Sequence, residues 1–352
     1  RQRIAAYGDE IVASAHRHSA AWADQQELDI SAAMMALSLE IVARTLFDTE
    51  VTDDIRRIND EVNTIMDLYN FLVAFPRMES VLHLPIPGVM KFRRSKARLD
   101  RVVNRLIDQH KRTCVDKGDL LSMLISSRDE QPDASGEHTG MSDTQIRDEV
   151  LTIFLAGYET TANALAWTWY LLSQNPEAEA KLHAELDAVL GDSKGGHRLP
   201  TLADYPALRY TEQVFAESMR IYPPAWAMGR RSTKSITLGP YCIPPGAHFF
   251  MSQYMVSRTP QFYPDPLRFD PDRFTPEAKA ARPRFAYFPF GAGSRQCIGE
   301  SFAWMEGVLA IATIASRWRM TYLGSEPPVP QAKITLRPRD PMMMRLTARQ
   351  KI

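Results

Sequence analysis

The sequence has few cysteines and no long apolar run. Only three cysteines, Cys114, Cys242 and Cys297, occur among 352 residues, and they lie far apart in the chain. A secreted fold held together by disulfides is therefore not indicated, and a reducing compartment, the cytoplasm, is expected. No stretch of eighteen apolar residues occurs, so the sequence itself contains no candidate transmembrane helix.

An excess of charge of either sign is also missing. Lys and Arg together number 42, as do Asp and Glu, and the formal net charge is zero. Proteins that bind nucleic acids or anionic membranes usually carry a basic excess, so neither partner is expected. The hydrophobic share of 45% and the charged share of 24% are typical of a globular protein.

Apolar residues recur at helical spacing along most of the chain, with proline and glycine between the periodic segments. This spacing predicts helices near residues 4–15, from about 31, and over 55–75, 89–113, 119–127, 142–173, 176–190 and 208–221. Ser142 and Gln145 predict a capping box at the start of the longest of them. Short strands are predicted at 235–238, 241–243, 248–251, 334–336 and 343–346. The predicted fold class is mainly α with small β-sheets.

One glycine-rich stretch, residues 288–299, reads Phe-Pro-Phe-Gly-Ala-Gly-Ser-Arg-Gln-Cys-Ile-Gly and precedes an apolar helical pattern. Cys297 is thus placed near a helix start, where free N–H groups and the helix dipole are expected to lower the pKa of its thiol. A lone thiolate does not resemble a zinc site, which needs about four ligands. It matches axial ligation of haem iron by one cysteine. A buried structural cysteine in a glycine turn is the alternative.

The order Phe290, Gly293, Arg295, Cys297, Gly299 closely resembles the haem-binding signature of the cytochrome P-450 superfamily, the haem-thiolate monooxygenases. The resemblance implies that Cys297 is the metal ligand of a haem b (iron protoporphyrin IX) cofactor. It also implies cofactor-binding roles for the rest of the loop. The backbone would approach the macrocycle at three glycines, Gly291, Gly293 and Gly299. The ring of Phe290 would shield the sulfur, and Arg295 would pair with a propionate. A second propionate-binding arginine is implied at Arg230.

A second motif, Ala156-Gly157-Tyr158-Glu159-Thr160-Thr161, lies within the longest predicted helix. Its glycine and threonines disfavour regular helix, which predicts a local bulge. A glycine that permits close helix packing is the alternative. The stretch resembles the oxygen-activation motif of the same family, which implies catalytic roles for Thr160 and Glu159 in holding water and relaying protons, and a place against the haem for Ala156.

Glu217 and Arg220 are spaced three residues apart on a predicted helix. Their alternative interpretation is a surface ion pair, which contributes little. The resemblance implies instead that they are buried beneath the cysteine stretch and joined by Arg273, so that the three support the geometry of the haem loop. Before that arginine the family often has His-Arg-Asp, whereas this chain has Ser257-Arg258-Thr259, so a propionate contact is not expected there.

The motifs span residues 156–299, with matching helices on either side, and imply a cytochrome P-450 fold over a single domain, residues 1–352. The resemblance implies a monooxygenase that inserts one oxygen atom from O₂ into a small, largely apolar organic substrate. Apolar residues near the motifs are expected to line the pocket: Phe154, Ala156, Ala225, Ala227 and Met228. Because no flavin or iron–sulfur motif is present, electrons are expected from an external ferredoxin or flavin reductase.

Two alternatives to monooxygenase activity stay open. One is a haem-thiolate isomerase or peroxygenase, which would need no electron donor. The other is a truncated, non-catalytic relative that binds haem or ligand. The sequence begins with Arg1 and lacks the family's N-terminal portion. The chain is therefore expected to be a piece of a longer protein that takes up haem poorly when made alone.

Overall fold

The computed structural model describes residues 2–47, 68, 82–84, 86–113, 119–128, 139–191 and 196–349. The helix predicted over 55–75 falls outside these ranges except for residue 68, and Cys114 also lies outside them.

The described chain is mainly helical. Its helices are α1 (Gln2–Ala20), α2 (Ile30–Phe47), α3 (Pro87–Thr113), α4 (Leu120–Ser126), α5 (Asp143–Gln174), α6 (Pro176–Leu190), α7 (Arg209–Ile221), α8 (Gln253–Val256), α9 (Pro276–Ala281) and α10 (Glu300–Ala315). Short 3₁₀ turns cover Leu202–Ala207, Pro271–Phe274 and Gly293–Arg295. Within the described ranges, no helix combines the length and apolar character that a membrane span requires.

The strands are short and form antiparallel pairs. They are β1 (Glu27–Asp29), β2 (Met228–Arg231), β3 (Ile236–Leu238), β4 (Tyr241–Ile243), β5 (His248–Met251), β6 (Trp318–Tyr322), β7 (Pro330–Ala332), β8 (Leu336–Pro338) and β9 (Met343–Ala348). One sheet has the order β1-β9-β6, and the pairs β2-β5, β3-β4 and β7-β8 form two-stranded sheets. The predicted fold class, mainly α with small β-sheets, is confirmed.

The start of α5 shows how local sequence sets a boundary. Ser142 N–H donates to Gln145 Oε1 at 2.8 Å, and Gln145 N–H donates back to Ser142 Oγ at 3.3 Å. These reciprocal bonds satisfy N–H groups that the first helical turn leaves free, as the predicted capping box requires.

The predicted bulge in α5 is absent, because residues 156–161 are α-helical throughout. A Cβ atom added at Gly157 would lie 3.3 Å from Val42 Cγ2, so the glycine lets α5 approach α2 closely. Tyr158 beside it is buried in the same apolar cluster as Val42. Tertiary packing overrides the weak helix propensity of the motif.

The chain divides into two compact units. The first comprises Arg1–Ser14 and Met35–Glu159. Its buried apolar cluster draws on α2, α3, α4 and α5: Leu39, Val42, Ala43, Leu99, Val103, Ile107, Leu121, Ile146, Val150, Phe154 and Tyr158. A buried hydrogen bond of 2.6 Å joins His110 Nε2 of α3 to Asp119 Oδ2, and Asp119 caps α4 by accepting the Ser122 N–H.

The second unit comprises Ala15–Met34 and Thr160–Ile352 and contains all the described strands. Helix α7 lies against α10, where a Cβ atom at Gly307 would meet the Phe215 ring at 2.2 Å. Only glycine permits this approach. The N-terminus of α7 is capped by Glu185 of α6, whose carboxylate accepts the backbone N–H groups of Tyr210 and Thr211 at 2.5 and 2.9 Å. These contacts fix α7, the helix that carries Glu217 and Arg220.

The stability of this unit should depend on pH through His183 in α6. Desolvation, together with the positive charges of Arg349 and Arg319, lowers the pKa of His183 to about 4. Between pH 6.5 and 4 the unfolded chain binds a proton that the folded chain does not, so stability falls as the pH falls through this window. In His183→Gln, the loss of unfolding free energy across this pH window is expected to be smaller than in wild type by up to about 3 kcal/mol. Urea unfolding at pH 7 and pH 4.5 measures it.

The matched control for this measurement is His83→Gln, because His83 is exposed. It should leave the difference between the two pH values unchanged. Equal pH dependence in wild type and His183→Gln would contradict the assignment.

Candidate active site

The cysteine loop, residues 288–299, closes on itself through backbone hydrogen bonds. Cys297 N–H donates to Phe290 O at 2.9 Å, and Gln296 N–H donates to Gly293 O at 3.1 Å. Gly291 and Gly293 both have φ of +73°, a conformation that side-chain-bearing residues rarely adopt. The glycines are therefore required by the turn that presents Cys297.

Cys297 is a free, exposed cysteine. Partial desolvation raises the pKa of its thiol and the Glu300 carboxylate acts in the same direction, while a hydrogen bond from the Gly299 N–H lowers it less. The predicted lowering of the pKa is therefore wrong. The physical reason is that partial desolvation of the thiol outweighs the hydrogen bond from Gly299, and the Glu300 carboxylate in the first turn of α10 adds to it. A thiolate here needs a positive partner such as a coordinated metal.

Phe290 anchors the loop to α10. Its ring centroid lies 5.8 Å from that of Trp304, which in turn lies 5.6 Å from that of Phe215. Cys297 is exposed and the neighbouring Ile298 is 89% exposed, and the shielding of the sulfur by Phe290 stays a prediction for the haem-bound loop. Beside the thiol, the loop thus presents apolar surface to solvent.

Two guanidinium groups accompany the loop. Arg295 belongs to the loop, and Arg230 lies in the strand β2. This strand is close to the loop, because the Cε atom of its first residue, Met228, lies 3.5 Å from the position of a Cβ atom added to Gly291. Both arginines are exposed. Among the described residues, neither has a carboxylate partner, and Arg230 donates only to Gly229 O. One thiol, two unpaired guanidiniums and exposed apolar surface fit the implied haem, which carries an iron, two carboxylates and an apolar ring.

Behind the loop, the structure brings Glu217, Arg220 and Arg273 together. Arg220 Nε and Nη2 donate to the two Glu217 carboxylate oxygens at 2.6 and 2.8 Å, and both side chains are fully buried. Arg273 Nε lies 3.5 Å from Glu217 Oε1, which also accepts the Asp270 N–H at 2.9 Å. A surface ion pair is therefore excluded for Glu217 and Arg220.

Arg220 also holds three backbone carbonyls. It donates to Ser257 O at 2.7 Å, Pro266 O at 2.8 Å and Arg268 O at 3.2 Å. Sequence reasoning did not identify these acceptors, because a backbone carbonyl carries no residue signature. The Ser257-Arg258-Thr259 step thus contributes a carbonyl to the buried pair, and the Arg258 guanidinium lies 3.5 Å from the Tyr254 ring centroid.

The second motif lies on the uninterrupted helix α5. Glu159 is buried, Thr160 is half-buried and Ala156 is exposed. Of the other residues expected to line a pocket, Phe154 belongs to the buried cluster of the first unit, whereas Ala225 is exposed.

Comparison with known proteins gives a consistent result. A family model described as "Cytochrome P450" matches residues 1–345. Cyclooctatin synthase of Streptomyces melanosporofaciens is 39% identical over 98% of this chain and 71% of its own length. Cyclooctat-9-en-7-ol 5-monooxygenase of the same organism is 37% identical over 90% of this chain and 67% of its own length. The crystal structure of the cytochrome P450DA heme domain has a TM-score of 0.83 at 24% identity, covering 99% of this chain and 73% of that one.

Proposed function

The chain belongs to the cytochrome P450 family, and on that premise we propose that Cys297 binds the haem iron and that the residues around it hold the cofactor. The general reaction follows from the family and its named relatives. The protein is a haem-dependent monooxygenase that acts on an apolar organic substrate. Haem b is the cofactor, and O₂ and a redox partner take part in the reaction.

The observation that carries the proposal is the exposed Cys297 thiol at the end of a loop closed by the Phe290 carbonyl. When bound, the haem would supply O₂ activation at its iron. Cys297 would bind that iron as a thiolate, a ligand that favours O–O cleavage. The glycine backbone at Gly291, Gly293 and Gly299 would leave room for the flat ring, and Arg295 and Arg230 would pair with its carboxylates.

The buried group of Glu217, Arg220 and Arg273 would hold the cysteine loop in register. Arg220 joins the helix α7 to the segments at Ser257, Pro266 and Arg268 through hydrogen bonds. Since its positive charge is fully buried, its position is set closely by the paired carboxylate. The role proposed for the three residues is therefore geometric.

Isotope labelling tests the reaction class. With ¹⁸O₂, one labelled oxygen atom should enter the product and the other should enter water. Product oxygen that comes from a peroxide and not from ¹⁸O₂, with turnover that does not depend on reductant, would favour the isomerase or peroxygenase alternative.

For the substrate, we propose a hydrocarbon-rich alkene or alkenol. The support is the 37% identity to a monooxygenase named for cyclooctat-9-en-7-ol, a name that describes an unsaturated alcohol. Titration of the haem-loaded protein with such a compound should change its Soret band. The saturated diol of the same skeleton should bind more weakly, because it places an extra hydroxyl in an apolar pocket.

The redox partner is proposed to be a ferredoxin or a flavin reductase, because monooxygenases of this family take their electrons from such a donor. A cytoplasmic location is proposed from the cysteine content, since Cys242 and Cys297 are both free among the described residues.

Thr160→Ala is expected to preserve haem and substrate binding while diverting electrons to peroxide. Thr160 and Glu159 are proposed to hold water and deliver protons, and losing the hydroxyl would misplace them. Product formed per electron consumed should fall, by up to the roughly 10²- to 10⁴-fold that positioned proton transfer usually contributes. Paired measurements of product, peroxide and consumed reductant check it.

The control for this variant is Thr152→Ala, an exposed threonine on the same helix whose hydroxyl donates to Asp148 O. It should couple electrons to product as wild type does. Unaltered coupling in Thr160→Ala would remove the relay assignment.

A further inference from the structure

Gln253, the first residue of α8, is buried behind the cysteine loop, with only 4% of its surface exposed. Its Nε2 donates to Pro289 O at 3.4 Å, a long hydrogen bond. Pro289 immediately precedes Phe290, whose carbonyl accepts the Cys297 N–H and closes the loop. Gln253 therefore binds the cysteine loop at Pro289, one residue before the carbonyl that closes the loop.

The backbone of Gln253 is held from the other side by the buried ion pair. Gln253 O accepts the Ser257 N–H at 2.9 Å and also a hydrogen bond from the Ser257 hydroxyl. Ser257 O in turn accepts from Arg220 Nη1 at 2.7 Å. A continuous set of contacts thus leads from Glu217 and Arg220, through α8, to the carbonyl of Pro289.

The amide oxygen of Gln253, Oε1, does not share in these contacts. Gln253 Oε1 is buried and accepts no hydrogen bond within the described part of the chain. The amide cannot be turned around to satisfy it, because Oε1 would then face the Pro289 carbonyl, which is itself an acceptor. A buried acceptor without a donor is costly, so a donor is needed at this oxygen.

A small cavity lies beside Gln253. Its lining includes Arg220, Ser257, Tyr287 and Pro289, and it offers about 10 Å³ to the centre of a water molecule. This is close to the room that a single buried water needs, and the lining mixes these polar groups with the apolar Met219, Ala286 and Phe288.

We propose that Gln253 is a positioning residue for the cysteine loop: its amide nitrogen holds the Pro289 carbonyl, and its amide oxygen accepts a hydrogen bond from one water molecule buried in this cavity. The proposal deepens the proposed function, because the loop that Gln253 positions is the one assigned to the haem. Its test uses the loop backbone itself and does not require catalysis.

Hydrogen exchange of the loop amides provides the first test. Gln253→Met has a similar length but neither donates to Pro289 nor binds the water. Exchange at the Gln296 and Cys297 amides should rise about three- to tenfold, the range that the loss of one net hydrogen bond gives. Exchange in α10 and the midpoint of thermal unfolding should change little.

Thr313→Val is the matched control, because Thr313 is a fully buried polar residue of α10 whose hydroxyl donates only to Leu309 O among the described residues. It should leave loop exchange at the wild-type rate. If Gln253→Met fails to fold, Gln253→Asn keeps both amide groups but is one methylene shorter, and it should also speed loop exchange. Wild-type loop exchange in a folded Gln253 variant, or equal acceleration in α10, would overturn the positioning role.

A crystal structure of the wild-type protein provides the second test. Electron density for a water within about 2.7–3.2 Å of Gln253 Oε1 is expected, and it should be lost in Gln253→Met. A dry cavity would overturn the water site. Neither result depends on whether Cys297 binds iron, so failure of this inference and failure of the proposed function can be told apart.

Discussion

Glu217→Gln is expected to destabilise the protein by about 3–5 kcal/mol, the range found when one partner of a buried ion pair is removed. The Arg220 guanidinium would remain fully buried, without a counter-charge. Because a whole domain is typically stable by only about 5–15 kcal/mol, much of the protein should be unfolded at moderate temperature. Urea unfolding followed by circular dichroism measures the loss.

Glu212→Gln is the matched control on the same helix. Glu212 pairs with Lys279 at 3.2 Å, and both side chains are substantially exposed. Removing this charge should change stability by less than about 1 kcal/mol. A similarly small loss for Glu217→Gln would contradict the role assigned to the buried pair.

The double variant Glu217→Leu, Arg220→Met separates charge from geometry. Removing both charges should recover part of the lost stability, since neither member of the fully buried pair is left without its partner, although Arg273 loses the Glu217 carboxylate. Recovery should be incomplete, because the carbonyls of Ser257, Pro266 and Arg268 lose the donor that Arg220 provides. Exchange of the cysteine-loop amides should stay faster than in wild type.

Cys297→Ser is expected to abolish product formation. A serine hydroxyl stays protonated and donates to iron far less strongly than a thiolate. Loss of even an outer contact at a metal site can lower activity about 10- to 100-fold, so loss of the ligand should exceed about a hundredfold. Product formation normalised to bound haem measures the effect.

Cys242→Ser provides the control, since Cys242 is a free and exposed cysteine in β4. Its activity should match wild type. Retained product formation in Cys297→Ser would remove Cys297 from the mechanism, and a loss in both variants would point to general thiol sensitivity.

The long helices could be predicted because their signals are local, whereas the short helices α8 and α9 were not predicted. The spacing of apolar residues and the Ser142–Gln145 capping box each act over a few residues. The short strands β1, β2, β6 and β7 were not predicted. They are held by pairing with strands that are distant in the sequence, as Leu28 with Met344 shows. A few consecutive residues do not reveal such a partner.

The site was predictable where side-chain type carries the chemistry. The spacing of Glu217 and Arg220 predicted contact, and the resemblance added burial and Arg273. The direction of the pKa shift at Cys297 was missed because it depends first on the partial desolvation of the thiol, which the sequence does not show, and then on the Glu300 carboxylate. The bulge at Gly157 was wrongly predicted because Val42, more than a hundred residues earlier, fills the space beside that glycine.

The absorption spectrum of the reduced protein with carbon monoxide tests the haem-thiolate assignment most directly. A cysteine thiolate ligand moves the Soret band far to the red, so wild type and Cys242→Ser should both show the shifted band, and Cys297→Ser should not. A wild-type spectrum without the red-shifted band, or one that Cys297→Ser leaves unchanged, would contradict the assignment of Cys297 as the ligand of the haem iron.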